Sequence, residues 1–266
     1  MNAPLETSLL PYILRDTRDG VATLSLNRGE RFNALSQAMI AALQGELDRI
    51  AVDTSVRSVV IAANGKGFCA GHDLKEMRAH TGNKAWQRRL FDDCSRMMMT
   101  LTRLPQPVIA RVHGIATAAG CQLVSMCDLA VAADTAKFAL PGVNVGVFCT
   151  TPAVGVARNI ARKRAMELLL TGEPIDAATA LGWGLVNRVV PLGELDAAIG
   201  HFTRLIGARS ARLIGQGKQA FYRQIDLGLE AAYGEGSGTM ACSLLDAHAH
   251  EGIDAFIEKR TPHWDE

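Results

Sequence analysis

Two short stretches carry the best case for chemistry in this sequence. FCAGHDL (68–74) and ATAAGCQL (116–123) each place small residues where a strand hands over to a helix. The first N–H groups of a helix have no intrahelical partner, and bare backbone at such a turn leaves them open to a ligand. Two such amides aimed at one point form an oxyanion hole, reinforced by the positive end of the helix behind them. The chemistry implied is polarisation of a carbonyl. A second reading has Ala70, Gly71, Ala118, Ala119 and Gly120 simply permitting close packing of helix on strand, and spacing alone leaves both readings open.

Other candidate residues carry less. The imidazole of His72 is a candidate acid or base, or merely a polar group beside a packed glycine. Asp73 opens DLKEM as an N-cap, and Asp128 is expected to order the turn between a helix and a strand. His248 and His250 are two apart, on different faces of a helix, and His113 ends a strand, so no metal set is expected. Gly65, Gly67 and Ala70 match a dinucleotide-binding fingerprint in form only. The acid required about 20 residues later falls on Asp92 and Asp93, inside a helix rather than at a strand end. An NAD- or FAD-dependent oxidoreductase is thus the weakest of the readings, and the absence of a G-x-S-x-G elbow argues against a serine hydrolase.

The elements that must hold these turns can be read from the hydrophobic pattern. YILRDTRDGVATLSLN alternates about Asp19-Gly20 as a β-hairpin, and Ser36 caps a helix with apolar residues at spacings of three and four. SVRSVVIAANG is a buried strand, and Trp86 to Leu104 a helix whose Met97, Met98 and Met99 fill the core. PVIARVHG, DLAVAAD and AKFAL are strands, with TAAGCQLVSM a helix between the first two and PGVNVGVFCT a glycine-broken loop after the last. Alternation of strand and helix to about residue 191 implies an α/β architecture. From Gly193 onward the pattern is helical, with apolar faces too thin for an independent core.

Composition narrows the function class. Lys+Arg 28 against Asp+Glu 27 leaves a net charge of +1, so no overall field favours nucleic acid or an anionic membrane. MNAPLETSLLPY shows no signal-peptide pattern, and no stretch approaches the roughly 20 apolar residues of a membrane span. The six cysteines are scattered in apolar contexts without a C-x-x-C pair, which favours reduced thiols and a cytosolic location over disulfides or zinc.

NRGERFNALS (27–36), GKGFCAGHDLKEM (65–77), QPVIARVHGIATAAGCQLVSMCDLAVA (106–132), FALPGVNVGVF (138–148) and LLTGEPIDAATALGWGLVNRVVP (169–191) together resemble the crotonase, or enoyl-CoA hydratase/isomerase, superfamily. Within it, GHDLKE, ATAAGCQL and PGVNVGVFCTTP are most similar to the subgroup called enoyl-CoA hydratase domain-containing protein 3. The resemblance implies a spiral of ββα units over residues 1–192 carrying an acyl-CoA pocket. It implies a helical region over 193–266 that builds a homotrimer or a dimer of trimers. No cofactor is implied beyond a coenzyme A thioester as substrate or ligand, its oxygen held by the backbone N–H groups of His72 and Ala119. Ala70, Gly71, Asp73, Leu74 and Gly120 would line or shape that site. Arg31, and Lys259 or Arg260 from a neighbouring subunit, would meet the coenzyme A phosphates.

Two departures from the family pattern bear on the reaction. Hydratases of the superfamily carry glutamates at the positions matching Gln122 and Gly142, and hydration uses both to handle water and a carbon-bound proton. Glutamine cannot take that proton, and glycine offers no side chain. The expectation is therefore an acyl-CoA-binding lyase or isomerase with weak or non-standard activity. The alternative is a catalytically inactive acyl-CoA sensor or assembly subunit. His72, Cys149 and a carboxylate on the substrate itself are the candidate replacements for the lost acids.

Overall fold

The computed structural model describes residues 10–264. The polar leader read at residues 1–9 lies outside them. The expected hairpin pairs β1 (Ile13–Arg18) with β2 (Val21–Leu26) in antiparallel register, with Asp19 and Gly20 both at positive φ as a tight hairpin turn requires. Ser36 caps α1 (Gln37–Ala51), whose buried Met39, Ile40, Leu43, Leu47 and Ile50 form one helical stripe. Then follow β3 (Ser58–Ala63), buried throughout, the short α2 (Leu74–Ala79), α3 (Lys84–Arg103) and β4 (Val108–Val112).

The second half of the core repeats the cycle with shorter pieces: β5 (Ala116–Thr117), α4 (Ala119–Met126), β6 (Leu129–Ala133) and β7 (Lys137–Ala139). After a 3-10 turn at Pro141–Val145 come α5 (Thr150–Val156), α6 (Arg162–Thr171), β8 (Ile175–Asp176), α7 (Ala177–Trp183) and β9 (Arg188–Val190). The main sheet runs β1-β2-β3-β4-β6-β9, parallel from β2 onward; a small sheet, β5-β7-β8, turns away from it. Parallel strands need helical crossovers, and burial on both faces explains why β3 reads as a nearly continuous apolar run, while β4 keeps one partly buried arginine, Arg111, paired with Asp196.

Four helices complete the chain, α8 (Leu195–Gly207), α9 (Ala211–Gln224), α10 (Leu229–Ser243) and α11 (Ala247–Glu258). No helix of the described residues is long and apolar enough to cross a membrane. α9 is tied to the core by a buried ionic knot. Lys218 Nζ lies 2.7 Å from Asp128 Oδ2 and donates to the carbonyls of Leu101 (2.8 Å) and Gln106 (2.9 Å), while Asp128 also accepts from Val108 N (2.6 Å) and Tyr222 OH (2.9 Å). Asp128 therefore does more than order its own turn.

Two packing expectations need correcting. Met99 is 40% exposed, because it lies off the α3 stripe that buries Met97 and Met98. Cys242 is exposed on α10, whereas the other five thiols are buried; all six are free.

Candidate active site

The turn at residues 67–72 is assembled from its neighbours. Asn33, fully buried, reaches across to it: its Nδ2 donates to the carbonyls of Asn64 (2.8 Å), Gly67 (3.1 Å) and Phe68 (3.2 Å), and its Oδ1 accepts from Arg28 N at 2.8 Å. Leu35 N donates to Gly71 O at 2.7 Å and Ala70 N to Phe32 O at 2.9 Å, so the 28–36 loop is a backing plate for the first turn. Asp73 then caps α2 through the N–H groups of Lys75 and Glu76, as expected. Sequence reasoning missed Asn33; its only signal was a polar residue inside the apolar-flanked FNAL.

The second turn is strained. Ala118 sits at φ 50°, ψ −120°, a region that a residue with a Cβ adopts at a cost of roughly 1–3 kcal/mol. Ala118 N donates to Ala139 O and Ala118 O accepts from Gln122 N, which pins the conformation from both sides. The two turns are pressed together. Gly71, at φ +85°, lies so close that a Cβ built on it would be 2.8 Å from Ala118 Cβ and 3.1 Å from Ala119 N, and one built on Gly120 would be 2.1 Å from Cys69 O. Close packing of the two turns thus coexists with amides that their own fold leaves without an acceptor. Among the described residues, neither His72 N–H nor Ala119 N–H, the first amide of α4, donates to a protein acceptor.

Both turns open onto one cavity of ≈ 250 Å³. Of the expected residues, Ala70, His72, Leu74, Ala119 and Gly142 line it. Gly71 and Gly120 stand behind the wall, and Arg31 and Lys259 are exposed and outside the lining of this chain. The remaining wall, from Asn144 to Pro152 together with Met77 and Phe91, was not legible beforehand, apart from Cys149. No carboxylate and no lysine or arginine lines the cavity; its ionisable groups are His72 and Cys149.

The environments of these two groups follow from burial. His72 Nδ1 faces Leu35 O at 3.3 Å and must carry the proton, because a carbonyl only accepts. Its buried Nε2 then keeps a lone pair with no hydrogen-bond partner, and Phe91 packs edge-on at 5.1 Å. Burial lowers the imidazole pKa, partly opposed by the Leu35 carbonyl, and so favours the neutral ring. Burial pushes the Cys149 thiol up, partly offset by a hydrogen bond from the Gly142 backbone. Cys69, Cys94 and Cys121, deeper still, are pushed up to about 12.

The positions expected to matter most for hydration hold no acid and little room. Gln122 is 4% exposed on α4, and its Oε1 has no partner among the described residues; it is not part of the cavity lining. A Cβ built on Gly142 would stand 2.8 Å from both Cys149 Sγ and Val147 O, and 3.1 Å from Cys149 N. The 147–149 segment thus fills the space that a side chain at 142 would enter.

The sequence model of the enoyl-CoA hydratase/isomerase family matches residues 16–266. An enoyl-CoA hydratase from Mycobacterium smegmatis is 54% identical and superposes with a TM-score of 0.94, covering 96% of this chain and 99% of its own. The crystal structure of human enoyl-CoA hydratase domain-containing protein 3 is 42% identical, with a TM-score of 0.92 over 95% of this chain and all of that one. The mouse mitochondrial protein of the same name is 43% identical over 247 residues, 93% of this chain and 82% of its own length. The mitochondrial location of such relatives overturns the cytosolic expectation. Reduced, buried thiols suit either compartment, so the composition had no power to separate them.

Proposed function

The chain belongs to the enoyl-CoA hydratase/isomerase family, and on that premise we propose that the cavity holds the acyl end of a coenzyme A thioester with its carbonyl oxygen between the N–H groups of His72 and Ala119. The observation that carries this reading is the pair of unpartnered amides at two abutting turns whose residues line one cavity. Such donors are fixed before the reaction begins. They stabilise the oxyanion of an enolate, and removing one typically costs about 2.7–4 kcal/mol of transition-state stabilisation.

Hydration itself is not the task this site performs well. Adding water across a conjugated double bond requires a base for the water and an acid for the α-carbon, and the lining supplies no carboxylate for either. We therefore assign an acyl-CoA-directed lyase or isomerase chemistry other than efficient hydration. The direct test follows crotonyl-CoA hydration by the unmodified protein beside calorimetric binding of a saturated acyl-CoA. Tight binding with slow hydration is the expected result; hydration at the rates of ordinary enzymes, with kcat near 10 s⁻¹, refutes it.

A second reading, an acyl-CoA sensor or assembly subunit without turnover, draws on the same lack of a charged acid or base in the cavity. A panel of acyl-CoA thioesters separates the two, since the sensor binds without forming any product. For the phosphates we retain exposed Arg31, and Lys259 from a second subunit. Arg31→Ala is expected to weaken coenzyme A binding most at low salt. The 193–266 helices are assigned to trimer formation, supported by the apolar residues they leave exposed, among them Leu229 at 76%, Tyr233 at 70% and Phe256 at 85%. Light scattering on the purified protein reads the subunit number.

A further inference from the structure

A polarised thioester needs a group to take or return a proton at its α-carbon, and the lining offers two candidates, His72 and Cys149. The His72 ring is held by Leu35 O on one side and Phe91 on the other. Cys149 lies in the same lining, in the segment that closes over Gly142, with its Sγ 2.8 Å from where a Cβ at 142 would stand. Two buried polar atoms nearby have no hydrogen-bond partner among the described residues: His72 Nε2, on a residue of the lining, and Gln122 Oε1, on α4 behind it. The remaining four buried cysteines lie outside the lining.

We propose that Cys149 is the proton-transfer residue of this cavity, exchanging a proton with the α-carbon of a coenzyme A thioester bound through the His72 and Ala119 amides. The inference rests on the reading of the cavity as a thioester site. In the forward direction the thiolate takes the α-hydrogen as a proton: the C–H bond breaks, its electron pair becomes the carbon–carbon π bond of the enolate, and the carbonyl π pair moves onto the thioester oxygen. An S–H bond forms, and the reverse step returns a proton to carbon. Solvent exchanges with the S–H between the two steps, so no further reactant is needed. Burial holds the group in its thiol form near neutrality, as suits a donor to an enolate, and makes the small thiolate fraction the limiting base.

The experiment measures deuterium entry at the α-carbon of butyryl-CoA in D2O, by mass spectrometry, with calorimetric binding and thermal melts on every protein. The unmodified protein is expected to exchange at a rate rising about tenfold per pH unit between pH 6 and 8, as a base with a pKa above that range requires. Cys149→Ser and Cys149→Ala are expected to bind within about threefold of the original and to lose roughly 10²-fold or more of the exchange. Cys149→Asp is expected to recover exchange with the rise moved to acidic pH, a shift that a packing role would not produce. Exchange retained in folded Cys149→Ser, or a rate already level above pH 6.5, overturns the inference in favour of His72. Binding without exchange by the unmodified protein also overturns it and leaves the thioester reading standing. Failure to bind butyryl-CoA removes the thioester reading itself.

Discussion

Gly120→Ala tests whether the contact between the two turns sets the oxyanion geometry. A Cβ at that position would be 2.1 Å from Cys69 O, 2.7 Å from Cys69 C and 2.9 Å from Cys69 Cβ, all in the other turn. Carbon and oxygen do not approach closer than about 3 Å without bonding, so the two segments must separate by about 0.9 Å. A hydrogen bond of about 2.9 Å stretched by that amount is no longer one. If α4 moves, the Ala119 amide leaves the thioester oxygen, at a cost of about 2.7–4 kcal/mol in transition-state stabilisation, or roughly 10²–10³ in rate. Overpacking adds about 1–3 kcal/mol of destabilisation. At about 2 °C per kcal/mol for a chain of this size, Tm falls by about 2–6 °C. The assay is infrared difference spectroscopy of butyryl-CoA carrying a 13C carbonyl. Polarisation between two donors shifts the carbonyl band to lower frequency in the original protein, and the shift is expected to shrink in the folded variant. An unchanged band with Tm within about 1 °C would show that the contact does not set the site.

Three further outcomes follow from the geometry. Lys218→Met leaves Asp128, 16% exposed, without its counter-charge and strips the Leu101 and Gln106 carbonyls of a donor; we expect a loss of about 3–5 kcal/mol in chemical denaturation, partly recovered by adding Asp128→Asn. Gly142→Glu, alone or with Gln122→Glu, is expected to give no crotonyl-CoA hydration, because the new side chain must enter space held by Cys149 and Val147; robust turnover would show that this segment yields easily. The Glu251 carboxylate, bonded first by Arg260 (2.5 and 2.8 Å) and then by His263 N, is held down to about 2. Its lowered pKa means that the contribution to folding is present above the usual carboxylate range and disappears as pH falls toward 2. The tail beside Trp264 should therefore stay docked at pH 5 and loosen on acidification, read by indole fluorescence.

The hairpin, the Ser36 cap and the two glycine turns were legible because each depends on residues within a few positions of one another. The helical character of the chain after Gly193 was legible for the same reason, though not the number or bounds of its helices. What escaped depends on contacts across the chain. Asn33 and the turn it staples are more than 30 residues apart, so nothing local marks its role. The lack of room at Gly142 comes from a loop folding back on it, and a glycine that has lost a side chain looks the same in sequence as one that cannot accept one. The side chain of Gln122 is buried on α4 behind the lining, a rotation that spacing does not fix. Met99 missed the core by one position on its helix.

The knot at Asp128 also bears on how this chain can be made. Its carboxylate meets the β4 amide early, but the ammonium that balances it arrives 90 residues later, on α9. During synthesis the growing chain must keep Asp128 hydrated, and the underside of β4 and β6 open, until Lys218 has left the ribosome. A stalled or truncated chain ending before α9 would hold a nearly complete sheet around an acid that cannot be sealed in. The cell would see a half-built protein of this kind as a client for chaperones or proteases, so the last quarter of the polypeptide decides whether the first three quarters survive.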